Sequence, residues 1–178
     1  TALINSPEKS GSLHVDSKGL SRFVPQPAVD KNIEDAVTHP SDKVATAPVD
    51  SSAAPQVIDI LMGYSRAGVD RAGGDANADA LAKVEYVNLN LRNSLVTNVS
   101  FKLAGIQIVE PNYLVSVKTL SELPVIFAEG MANYHPDVIY GNFGTLEPGG
   151  AVGWAYTGGR TALGVSHSHD TFAHELGH

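Results

Sequence analysis

Cysteine is missing from all 178 residues. Disulfides, thiolate metal sites and a thiol nucleophile are thereby excluded, and any metal must be held by histidine and carboxylate. Long uncharged apolar runs are missing too, so no membrane-spanning helix is expected. Basic residues are scarce: 12 Lys and Arg stand against 19 Asp and Glu, for a net charge of -7. Without a basic cluster, no nucleic-acid partner is expected. No methionine stands at position 1 and no signal-type segment opens at Thr1, so the chain reads as a processed or trimmed product. The P-loop, the G-x-S-x-G elbow and the dinucleotide fingerprint are absent as well.

What is present is a soluble globular composition, 43% hydrophobic and 17% charged, with length for one ordinary domain. Residues 1–55 stand apart. "SPEKSGS", "VPQPAVDKN" and "THPSDKVATAPVDSSAAP" are rich in Pro, Ser, Asp and Lys. They read as a loosely structured leader or pro-segment ending in a linker, or as an extended arm packed on the domain.

Ordered structure is expected from residue 56 onward. Val57 to Met62 is a short apolar, β-branched run bounded by Pro55 and Gly63, which predicts a buried strand. From Asn77 to Leu95, Ala80, Leu81, Val84, Val87, Leu91 and Leu95 recur at helical spacing and predict an amphipathic helix. Val99, Phe101, Leu103, Ile106 and Ile108 alternate as in a strand, with a bulge expected at Gly105. "SVKTLSELPVIFAEGMANYH" reads as a mixed connection with room for a short helix. "PDVIYGNFG" predicts a buried strand, "GAVGWAYTGG" a Gly-flanked edge strand, and "TALGVSHS" a further strand or an extended approach to a final helix. The succession predicts an α/β or α+β domain.

The last five residues, "HELGH", spell H-E-x-x-H. On a helix, residues four apart share a face, so His174 and His178 can turn their imidazoles toward one ion. Glu175, one position on, can serve a metal-bound water as general base. A chance match arises in roughly one chain of this size in a few hundred. The context argues against chance. Phe172, Ala173 and Leu176 suit a helix lying on a core, and Ser168 or Asp170 can cap its start. Gly177 is a poor helix former, costing about 1 kcal/mol against Ala.

"SHDTFAHELGH", preceded by a Gly-rich edge-strand segment and alternating strands, resembles the metzincin clan of zinc endopeptidases. Within the clan it is similar to the reprolysin-like group and to bacterial peptidyl-Asp metalloendopeptidases. The resemblance spans residues 56–178: "IDILMGYS" stands at the opening strand, residues 77–95 at the first long helix, "PDVIYGNFG" at a central strand and "GAVGWAY" at the edge strand above the cleft. It implies a metzincin-like N-terminal subdomain, with a twisted, mostly parallel sheet, an antiparallel edge strand and an active-site helix. It also implies Zn2+ held by His174 and His178, with Glu175 as general base and acid. Gly153, Trp154 and Ala155 would bind the backbone of a polypeptide substrate as an added strand. A secreted bacterial protein, extracellular or periplasmic, goes with the resemblance. The metzincin motif continues as H-E-x-x-H-x-x-G-x-x-H and reaches a Met-containing turn. Neither follows in this sequence, so the chain is expected to be the N-terminal part of a longer protease, with its third zinc ligand unassigned.

Other residues carry weaker expectations. "HSHD" puts His167, His169 and Asp170 together, as a second metal site or as a polar approach to the helix. His14 with Asp16 could seat the leader over the metal as an intramolecular pro-segment, or lie in a solvated loop. His39 and His135 read as surface residues. Arg160 could select an acidic substrate side chain, or be an ordinary exposed arginine. In "GGDANAD", Asp75, Asn77 and Asp79 alternate as calcium ligands do, but the rest of an EF-hand loop is out of register, so helix capping is expected. Two functions from different classes follow: a zinc endopeptidase, and a catalytically inactive protease-derived module that binds peptide or protein.

Overall fold

Val, Ile, Leu and Met crowd residues 57–62, and in the computed structural model that run becomes a strand paired on both sides within the central sheet. The structure describes residues 2–5, 9–15, 18–25, 36–37 and 54–178. Asp16, His39 and most of the expected linker lie outside the described residues. Strand by strand, β1 is Ala2–Asn5, β2 Ser10–Val15, β3 Ser21–Pro25, β4 Ala36–Val37, β5 Gln56–Ser65, β6 Val99–Val109 and β7 Leu114–Val115. After these come β8 Val138–Phe143, β9 Thr145–Leu146, β10 Gly153–Tyr156 and β11 Thr161–Val165. The helices are α1 Arg66–Arg71, α2 Ala76–Asn93, α3 Val117–Ile126, α4 Ala128–Tyr134 and α5 His169–Glu175.

The central sheet has the order β4-β10-β11-β8-β5-β6. Strands β6, β5, β8 and β11 run parallel, while β10 turns back antiparallel to β11. The expected mixed α/β architecture, mainly parallel with an antiparallel strand, is the one observed. Parallel strands covered on both faces need continuous apolar runs rather than alternation, and β5 obeys: Ile60, Leu61, Met62 and Tyr64 are all fully buried. Helices α2 and α5 cover one face, over Ile60, Met62, Tyr140 and Ala155. Helix α3 covers the other, over Leu61, Ile139, Phe143 and Leu163.

The helix expected over 77–95 appears as α2. Asp75 caps it, its side chain accepting from the Ala78 N–H at 2.9 Å; this capping role takes the place of the calcium reading. The bulge in β6 falls at Ala104 rather than Gly105, because Ile60 pairs with Leu103 and Leu61 with Gly105. Gly105 has a different reason to be small: a Cβ there would overlap the Tyr134 ring. The connection over 116–135 holds two helices, α3 and α4, where one short helix was expected. The leader contributes strands as well. Strands β1, β2 and β3 form an antiparallel sheet of their own, and β4 pairs parallel with the outer side of β10.

Candidate metal centre

The chain enters α5 from β11 through a short turn. Ser168 caps the helix, its Oγ accepting from the Thr171 N–H at 3.1 Å. Phe172 is fully buried and meets Tyr140 edge-on at 4.7 Å between ring centroids. One apolar anchor and one cap therefore set the rotation of a two-turn helix. Position 174, two residues beyond Phe172, falls on the exposed side; α5 ends at Glu175, so His178, expected on the same helix, instead follows three residues past its end, half-buried.

The two imidazoles meet there. His174 Nε2 and His178 Nε2 lie 3.2 Å apart, with the rings nearly perpendicular and 4.8 Å between centroids. Two nitrogens bound to one tetrahedral zinc at ~2.0–2.1 Å stand roughly 3.3–3.4 Å apart. The pair thus fits two positions of such a centre. Among the described residues, no group of three His, Asp or Glu side chains gathers at metal-holding distance, so the structure shows two candidate ligands and no third.

Glu175 points inward and is 2% exposed. Its carboxylate lies against Gly153 of β10, where a Cβ would overlap Oε1 and the Thr171 methyl. Gly164 of β11 leaves similar room for the Tyr140 hydroxyl. Burial holds the Tyr140 phenol well above its ordinary range, and the charge of Glu175 adds to that. Glu175, Leu176 and His178 line one pocket of about 240 Å3 together with Ala155 and Tyr156 of β10 and with Ile58, Phe101 and Val138. Within β10 the pleat divides the three proposed substrate-binding residues. Gly153 and Ala155 are buried on the α5 side, whereas Trp154 is half-buried against the α3 side.

The remaining candidates spread out. His167 sits in the turn before α5 and His169 is the first residue of the helix, so they do not share one extended strand. Burial is the main force pushing the His167 pKa down to about 4, helped by Arg71 and Lys83. His169 is also lowered, first by burial and then by Lys83, against an upward pull from Asp170. Tyr86 donates to Asp170 and meets His169 edge-on at 4.6 Å. His14 is buried on β2, with its ring where a Cβ on Gly73 would be, far from a solvated loop. Arg160 is exposed beside a pocket of about 300 Å3 with Ser121 and Tyr156. Tyr140 and Gly164 went unread in the sequence, because sheet register alone brings them under α5, where they meet each other and Thr171.

No protein-family model matches the chain, and no curated protein matches it. Solved structures do. One is described as a chaperone–substrate complex, with TM-score 0.57 and 20% identity, over 70% of this chain and 26% of that one. Another is metalloproteinase-II from Bacteroides fragilis, with TM-score 0.55 and 16% identity, over 86% of this chain and 47% of that one. The chain thus spans about a quarter of the first of these structures and about half of the second. At these identities the likeness is one of fold, and one protein sharing that fold is a metalloproteinase.

Proposed function

We propose that the chain carries the metal-binding half-site of a zinc-dependent endopeptidase of the metzincin clan, reprolysin-like or peptidyl-Asp-like, and that it acts outside the cytoplasm. The observation that carries this reading is the pairing of His174 and His178, with ring nitrogens 3.2 Å apart, next to a pocket that His178 lines together with Glu175 and strand β10. The fold likeness to a metalloproteinase supports it.

His174 and His178 would hold zinc through Nε2. When bound, zinc supplies a Lewis acid and brings the pKa of a coordinated water to about 7. Glu175 is the proton carrier: its carboxylate takes a proton from the attacking water and returns it to the leaving amine. Its low exposure keeps bulk water from competing for that proton. Gly153 and Ala155 keep β10 slim where the scissile segment would pass, and the β10 backbone offers ladder groups to an extended polypeptide. The leader serves as an intramolecular pro-segment. The pairing of Ala155 with Ala36 and of Tyr156 with Val37, and the Thr157 N–H to Val37 carbonyl bond at 3.0 Å, support that role.

Glu175→Gln tests the assignment. The variant is expected to keep its zinc and to lose at least ~10²-fold in hydrolysis of an unfolded protein substrate. Undiminished hydrolysis would remove Glu175 as the base. Peptide binding without turnover, equal in both proteins, would instead support the non-catalytic binding module.

A further inference from the structure

Beside the start of α5 lies a buried charge that the proposed chemistry does not use. Lys83 of α2 is 1% exposed. Its Nζ donates to the Ser166 carbonyl at 2.5 Å and to Asn142 Oδ1 at 2.7 Å, and pairs with Asp79 Oδ2 at 2.9 Å. An ammonium has three N–H groups, and here each has an acceptor. The partners are themselves tied down. Asp79 accepts from the Tyr64 hydroxyl at 2.8 Å, and the Asn142 amide donates to the Gly63 carbonyl at 3.0 Å.

Stability is a poor reason for this arrangement. A buried ion pair replaced by apolar groups of similar volume is often neutral or stabilising. Burial indeed drives the Lys83 pKa down, against the upward pull of Asp79. Position gives a better reason. Two of the acceptors sit on regular elements: Asp79 on α2, one turn before Lys83, and Asn142 on strand β8. The third, the Ser166 carbonyl, belongs to the turn that launches α5, two residues before its Ser168 cap. Helix α5 has only seven residues, about 10 Å at 1.5 Å per residue. A shift of its first turn is therefore carried to His174 with little to absorb it, and functional constellations tolerate only about 0.5 Å of misplacement.

We propose that Lys83 is a positioning residue for the His174–His178 pair, pinning the Ser166 carbonyl so that α5 starts at one place. The inference rests on the metal-holding reading of that pair. Two variants remove the ammonium without stranding its partner charge: Lys83→Met with Asp79→Leu, and the polar Lys83→Gln with Asp79→Asn, whose shorter Gln falls short of Ser166.

The first readout needs no metal. In metal-free protein, the ring-nitrogen NMR signals of His174 and His178 are expected to shift in a variant that keeps the wild-type melting temperature. The second is zinc affinity, expected to fall roughly 10- to 100-fold, as for other outer supports of metal ligands. A folded variant with unchanged ring signals and unchanged zinc affinity overturns the proposal. Should neither variant fold, the wild type decides. Coupling is reciprocal, so zinc must slow hydrogen exchange at the Lys83 ammonium, and an unaltered rate overturns the proposal. A wild type that takes up no zinc refutes the metal reading instead, while the metal-free ring signals still decide the role of Lys83.

Discussion

Gly153 is the smallest residue with the largest consequence at this site. Its missing side chain is the space occupied by the Glu175 carboxylate. Gly153→Ala is expected to destabilise the fold by about 1–3 kcal/mol, the usual cost of overpacking a filled core. It should also displace Glu175, so hydrolysis should fall further than the melting temperature alone explains. Equal melting and equal hydrolysis would contradict the packing described. The buried histidines make a second prediction at this scale. With a folded pKa of about 4 against an ordinary 6.5, His167 stays neutral where the unfolded chain takes up a proton. Its contribution to stability is therefore present above pH 6.5 and is lost progressively as pH falls toward 4. His169, lowered in the same direction, adds to that loss. Urea titrations at steps between pH 7 and 4 should show stability falling across this window, and His167→Gln should flatten the decline. A decline of equal slope in the variant would exclude His167 as a cause.

At the scale of elements, the site depends on how a two-turn helix is started. Isolated helices this short are unstable in water, so α5 relies on its cap, on Phe172 and on the neighbouring α2. Ser168→Ala is expected to cost about 1 kcal/mol and to weaken zinc binding through the same frayed turn. A thermal melt with a zinc titration checks both. Element by element, the sequence could be read where the signal is local. The apolar stripe of α2 and its Asp75 cap are consecutive features, and so is the apolar run of β5. Where opposing local signals collide, reading fails. Pro124 lacks an amide hydrogen and Gly130 is a weak helix former, so residues 116–135 resembled a connection. Packing decides otherwise: Leu120, Leu123 and Phe127 are fully buried, and the Gly130 N–H donates to Gln107 Oε1 at 2.6 Å.

For the molecule as a whole, the His-Glu-His triplet could be read because five consecutive residues contain it. Its surroundings could not. Gly153 and Tyr140 reach Glu175 through sheet register, and β4 pairs with β10 although their sequences carry no pattern that links them. The same long-range pairing yields a prediction for the leader. Removing residues 1–53 is expected to strengthen binding of an extended peptide to β10, measured by fluorescence anisotropy. Unchanged affinity would contradict the leader as occupant of that edge.

The central claim is that His174 and His178 hold one metal ion together. Zinc titration by calorimetry, run on the wild type, on His174→Ala and on His178→Ala, tests it most directly. The account predicts about one zinc per chain for the wild type and loss of that binding in each variant. A wild type that binds no zinc, or variants that bind it as tightly, would contradict it.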